Sequence, residues 1–296
     1  MTPPEVLTVG ETMAMVAPLD GSRLLDAREF RMDAGGAESN VAAHLAALGH
    51  RAAWFSRLGA DALGDRILRQ LESFGVEVGG VERDPQHPTG LYVKDPGHGV
   101  QYYRAGSAAA QLDPADAASV ALDGVRMLHV SGITAAISAT ASAFLDALIA
   151  HAHAAGVEVS FDVNHRAALW PLETAAPRLR QLAAMADVVF VGRDEAETLW
   201  GTVTAAEVRE LLGEPAELIV KDGDVGATAF DAAGEHFVPA LRVEVVEAVG
   251  AGDAFAGGYL AARLDGLVIA DRLRAGHERA ALILQTTSDT IEETPA

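Results

Sequence analysis

The chain has 296 residues, no cysteine and a net charge of −20 with histidine neutral. A chain this long buries most of the surface its unfolded form exposes, so it needs no disulfide or structural metal. The absence of cysteine excludes a thiol nucleophile and Cys-ligated zinc or iron–sulfur sites, and the acidic balance argues against general binding to nucleic acid or anionic membranes.

The first residues carry no basic segment followed by an apolar run, and no stretch approaches the length of a membrane span. A cytoplasmic setting is therefore expected. Residues 6–10 read as a buried strand ending in Gly10. The runs 125–133, 157–163, 188–191 and 218–220 read the same way. Amphipathic, alanine-rich segments lie between them, including one from Ser142 with apolar residues at helical spacing. Thr204 and Glu207 have the spacing of a capping box. Strands alternating with helices predict βαβ units, hence an α/β fold with a mainly parallel sheet covered on both faces.

Two stretches break this rhythm. Residues 13–33 contain two short runs of strand formers, and residues 88–106 place strand formers on either side of Pro96-Gly97-His98-Gly99, a hairpin signal. Both are assigned to one small β-sheet projecting from the core as a lid. The core then comprises residues 1–12, 34–87 and 107–296.

The strongest chemical signal is Gly250-Ala251-Gly252-Asp253, opening a helical pattern. Such a turn lets backbone amides and the positive helix end meet an anion. A carboxylate placed there repels a resting phosphate unless it has a task, such as taking a proton from an attacking hydroxyl. The competing reading is an ordinary glycine turn before an acidic first-turn residue. Phe255 stands where a dinucleotide-binding fingerprint needs its third glycine. Neither Lys94 nor Lys221 sits in a Walker A sequence. A second signal is Gly35-Gly36, followed by Asn40 and a helical pattern ending at Gly49. Local backbone could satisfy the Asn40 amide, or it could bind a polyol hydroxyl.

Together, Gly35-Gly36, Asn40 and Gly49 with Gly250-Ala251-Gly252-Asp253 resemble the two signatures of the ribokinase-like (PfkB) carbohydrate kinases. Phe55-Ser56-Arg57-Leu58-Gly59 with Asp61 and Gly64 resembles that family's second helical region. Lys221, Gly223 and Gly226 resemble its nucleotide-binding turn. The resemblance implies a three-layer α/β/α core with a β lid. It implies transfer of the ATP γ-phosphoryl group to a sugar hydroxyl, with Mg²⁺ offsetting phosphate charge. Asp253 is then the base, and the backbone of Gly250, Ala251 and Gly252 the anion pocket. Asn164, Arg166, Lys221, Gly223, Gly226 and His277 fall on the nucleotide side. Glu195 would reach Mg²⁺ through water, with Gly192 where the family usually has Asn.

Tyr102-Tyr103-Arg104 and Asp162-Val163-Asn164-His165-Arg166 resemble the 2-keto-3-deoxygluconate kinase branch. A sugar acid carries a carboxylate that arginine can hold with two parallel donors. The implied sugar side comprises Gly35, Gly36, Asn40, Tyr92, Tyr102, Arg104, Arg166 and Asp289. Phosphorylation of 2-keto-3-deoxygluconate at its 6-hydroxyl is the expected reaction. A fructokinase-like or other sugar kinase is the alternative within the family, and a non-catalytic sugar or nucleotide binder the alternative outside it. His151 and His153, two apart at a helix end, lack metal-ligand spacing. An exposed apolar lid face would favour pairing of two chains through the lid.

Overall fold

The computed structural model describes residues 2–286. An eight-stranded sheet runs through the core in the spatial order Gly234–Pro239, Gly226–Asp231, Glu217–Asp222, Val188–Gly192, Glu158–Asp162, Met127–Ser131, Val6–Val9 and Ala52–Phe55. From Glu217–Asp222 to Ala52–Phe55 every pairing is parallel. The two strands at the other edge are antiparallel. Parallel strands covered on both faces need apolar residues on both sides, which is why they read as unbroken apolar runs. Alternation then sorts the side chains. Leu7 and Val9 join Phe144 and Leu148 on one face, whereas Val6 joins Trp54, Phe190 and Tyr259 on the other.

The helix expected from Ser142 spans Ala139–Ala154. The Thr204 capping box is formed, with the Glu207 amide donating to Thr204 Oγ1 at 3.2 Å. The run 125–133 is shorter as a strand than its apolar pattern indicates. Ser131 caps a helix over Gly132–Ile137, so the tail of the run is helical. Periodicity alone does not separate a buried strand from the buried helix that follows it.

A second sheet of four strands stands apart, in the order Phe30–Gly35, Met13–Pro18, Leu91–Asp95 and Gly99–Tyr103. Its first strand continues through Gly35, past position 33. The Pro96–Gly99 turn joins its last two strands and pairs Tyr92 with Tyr102. Asp61 ties this sheet to the core. Its carboxylate caps the helix Ala62–Ser73 through the Gly64 amide and also accepts from the Thr89 amide, each at 2.8 Å. No helix among the described residues is long and apolar enough to cross a membrane.

Candidate active site

A cleft of about 2130 Å³ opens between the carboxyl ends of the parallel strands and the second sheet. That edge is where ligands bind in open α/β sheets. The volume exceeds the roughly 300–1,000 Å³ of a pocket for one small ligand. It has room for a sugar beside a nucleoside triphosphate.

Asp253 lies on the cleft floor in the first turn of the helix Ala251–Leu264. Gly250 caps that helix with φ 81°, a left-handed conformation that an L side chain adopts only under strain. Gly252 turns its face to Lys221, where a Cβ would sit 3.6 Å from Nζ. As first-turn amides, those of Gly252 and Asp253 have no acceptor within the helix. The Ala251 amide makes a long 3.4 Å bond to the Ala248 carbonyl.

Asn40 Nδ2 donates to Asp253 Oδ2 at 2.8 Å, joining two residues 213 positions apart. The two signature segments therefore meet in one place. The glycine pair before Asn40 is dictated by crowding. A Cβ on Gly36 would lie 2.6 Å from Thr12 Oγ1, and one on Gly35 would strike the Tyr92 hydroxyl. Asp253 opens on the cleft but is crowded by protein on its other sides. That desolvation pushes its carboxyl up to about 7; Asn40 opposes the rise, Asp162 adds to it, and Arg166 and Lys221 oppose it.

Lys221 Nζ donates to Asp162 Oδ2 at 2.8 Å. Burial works against the Lys221 charge, but Asp162, Glu195 and Asp253 outweigh it and hold the ammonium above its usual range. Glu195 accepts from the Gly192 amide at 2.7 Å and from the His165 amide at 2.9 Å. Burial and then Asp162 raise its carboxyl, with Lys221 opposing. Gly192 is the N-cap of the helix Arg193–Trp200, and a Cβ there would lie 2.7 Å from Asp194 Oδ1. Asn164 has φ 40°, the one non-glycine residue at positive φ among those described. It turns the chain at the strand end so that Arg166 faces the cleft.

Tyr92 and Tyr102 face the cleft from the second sheet with ring centroids 5.9 Å apart, and the Arg104 guanidinium lies 5.7 Å from the Tyr102 ring. Tyr103 points the other way, its hydroxyl donating to Gln101. Gly223, Gly226 and His277 line the far end of the cleft. His277 Nε2 lies 3.1 Å from the Val238 carbonyl, which fixes that nitrogen as the donor, and burial lowers the ring's pKa. His277 is thus a wall residue whose Nε2 is already engaged. Asp289 lies outside the described residues. His151 and His153 sit in the last turn of their helix, and His151 Nε2 lies 3.3 Å from the Val120 carbonyl.

Sequence reasoning missed Glu11. It lies just beyond the strand Val6–Val9 with its side chain 1% exposed. Its carboxylate accepts from the Arg104 guanidinium and, at 2.6 Å, from Ser107 Oγ. Arg104 is therefore held by a carboxylate of the chain itself, while its buried Nε has no partner among the described residues. The available signal was an acidic residue at the carboxyl end of a predicted strand. Glu38 was missed as well. It is 0% exposed, and its Oε1 accepts from Ser131 Oγ at 2.6 Å and from Thr134 Oγ1 at 3.3 Å. Burial pushes its carboxyl up to about 7.

The sequence profile of the pfkB family of carbohydrate kinases matches residues 3–295. The chain belongs to that family. It is similar to the 2-dehydro-3-deoxygluconokinase of Bacillus subtilis, with 37% identity over 96% of this chain and 91% of that protein. It is also similar to the 2-dehydro-3-deoxygalactonokinase of Haloferax volcanii, with 31% identity over 98% of this chain and 94% of that one. Among solved structures, the 2-dehydro-3-deoxygluconokinase of Thermotoga maritima superposes with a TM-score of 0.90 at 27% identity, covering 98% of this chain and 96% of its own. A PfkB protein from a Polaromonas species gives 0.88 at 34% identity, covering 96% of each chain. The ribokinase-like fold expected from the two signatures is the fold of this carbohydrate kinase.

Proposed function

We propose that the protein transfers the γ-phosphoryl group of ATP to the 6-hydroxyl of 2-dehydro-3-deoxygluconate. The observation that carries this reading is the Asn40–Asp253 contact at a glycine-capped helix N-terminus, within a cleft sized for two ligands. The relatives named for 2-dehydro-3-deoxy sugar acids favour a sugar acid over a neutral sugar, and Arg166, which lines the same cleft as Tyr92 and Tyr102, offers a guanidinium for its carboxylate. Both the base and the acid-sugar contacts are carried over from the family resemblance.

Phosphoryl transfer leaves the protein little covalent chemistry, so its residues act by positioning and by charge. Asp253 accepts the proton of the sugar hydroxyl as oxygen bonds to phosphorus and the bond to the departing ADP breaks. It then passes that proton to solvent. Asn40 holds the Asp253 carboxylate in place, and its hydrogen bond favours the charged, basic form. The amides of Gly252 and Asp253 face the negative charge that develops on the transferred group. Lys221 adds a positive charge beside them.

Among the described residues no group of three or more His, Asp or Glu side chains forms a metal cage. The Glu195 carboxylate already accepts two backbone amides. This donor set fits a Mg²⁺ ion held chiefly by phosphate oxygens and water, as that ion commonly is. Glu195 and Asp162 would reach it through water, and the ion would supply neutralisation of phosphate charge.

The test is a kinetic comparison of 2-dehydro-3-deoxygluconate, its galactonate epimer, fructose and ribose, coupled to ADP formation. The gluconate is expected to give the highest kcat/KM. Asp253→Asn is expected to lower kcat by about 10²–10⁴, the usual contribution of a general base, with ATP binding retained. Preference for fructose or ribose would overturn the acid-sugar reading. Near-normal turnover by Asp253→Asn would remove it as the base.

A further inference from the structure

The chain contains only two lysines, and both pair with carboxylates in the cleft. Lys221 pairs with Asp162 beside the nucleotide turn. Lys94 belongs to the lid strand Leu91–Asp95, on the same cleft-lining face as Tyr92. Its Nζ donates to Glu247 Oε1 at 2.7 Å, across 153 positions. The Lys94 side chain is 11% exposed and that of Glu247 26%, so water screens the pair only in part.

Glu247 sits on an irregular segment, with Gly250 three residues ahead of it. That segment leaves Val245, Val246 and Val249 about half exposed, so packing does little to hold it. Among the described residues its backbone is tied on one side, where the Val246 amide donates to the Leu284 carbonyl at 2.7 Å and the Glu247 amide to the same oxygen at 3.4 Å. Lys94 supplies a tie from the opposite side. We propose that the Lys94–Glu247 ion pair couples the lid to the anion pocket, placing the Gly252 and Asp253 amides correctly when the lid lies over the sugar. Both are positioning residues. Lysine suits the task because its ammonium is a compact point charge on a flexible stem, which can let go when the lid lifts, unlike an arginine fork.

The catalytic half of this inference rests on the proposed kinase reading; the structural half does not. Amide hydrogen exchange on the whole protein therefore comes first, using wild type, Lys94→Met, Glu247→Gln and the double variant. Each single variant is expected to speed exchange across residues 245–253 by about tenfold, through easier local opening. The double variant should match the singles, and residues 127–131 of the central strand should not change. Kinetics follow with ATP and 2-dehydro-3-deoxygluconate. Loss of placement of about 1 Å can cost up to about 100-fold, so kcat should fall at least fivefold in each single variant, with no further loss in the double. The exchanged pair Lys94→Glu/Glu247→Lys should recover much of the loss.

Unchanged exchange at 245–253 in Lys94→Met overturns the coupling. A kcat that falls in Lys94→Met but not in Glu247→Gln also overturns it, because Lys94 would then act directly on a ligand. Absence of turnover in wild type would sink the kinase reading while leaving the exchange result to judge the tie. If either neutral variant fails to fold, Lys94→Arg and Glu247→Asp keep both charges but alter the reach. A change in loop exchange in these variants supports the tie, and wild-type exchange in both refutes it.

Discussion

Glu38→Gln isolates a single buried charge. Glu38 is 0% exposed, and its Oε2 has no hydrogen-bond partner among the described residues. Burial lifts its pKa from 4.5 in the unfolded chain to about 7 in the fold. A raised carboxyl means the folded state binds more protons than the unfolded one between those values. Stability is therefore full below the unfolded pKa and falls as pH rises toward the folded one. At about 1.4 kcal/mol per pKa unit, linkage puts the loss near 1 kcal/mol at pH 5 and about 3 kcal/mol at pH 8. Glutamine keeps the Oε1 acceptor for Ser131 and Thr134 and never ionises. The stability of the variant relative to wild type should thus grow by about 2–3 kcal/mol between pH 5 and pH 8. Urea unfolding of both proteins at pH 5, 6, 7 and 8 gives this difference directly, since every other titrating group cancels. A difference independent of pH, or one that shrinks as pH rises, would refute the assignment of a buried, reluctantly ionised Glu38.

Asn40→Ala removes the donor that favours ionised Asp253. A hydrogen bond to a charged group is worth about 1.5–3 kcal/mol when shielded, and the open cleft screens this one, so the acid limb of kcat/KM, expected near 7 in wild type from the raised Asp253 carboxyl, should rise by about one pH unit. A pH–rate profile checks this; an unmoved or lowered limb counts against Asp253 as the titrating base. Arg104→Ala strands the Glu11 carboxylate in the interior and should destabilise the protein by about 3–5 kcal/mol, the usual result of breaking a buried pair. Thermal or urea unfolding should show part of that loss recovered in Arg104→Ala/Glu11→Gln. If the double variant is no more stable than the single, the buried charge is not the cause. Loss of turnover with neutral sugars equal to that with the sugar acid would also remove Arg104 from carboxylate recognition.

Much of this protein was legible in order along the chain. The apolar runs at 157–163, 188–191 and 218–220 announced strands because a parallel strand buried on both faces tolerates no alternation. Gly250 and Asp253 announced the start of a helix because backbone geometry and the helix dipole act over a few residues. Gly35-Gly36 marked a place where no side chain fits, although only the fold reveals that Thr12 and Tyr92 take the space. These are local constraints, and local constraints are written into neighbouring residues. The polar pairings are not local. Asn40 meets Asp253, Arg104 meets Glu11, and Lys94 meets Glu247 only after the fold brings together segments 93 to 213 positions apart. The antiparallel edge strands from Gly226 to Pro239 and the neutral pull on Glu38 likewise depend on what packs around them. A side chain's type sets which interactions it can make, but its partner and the water left around it are decided by the fold.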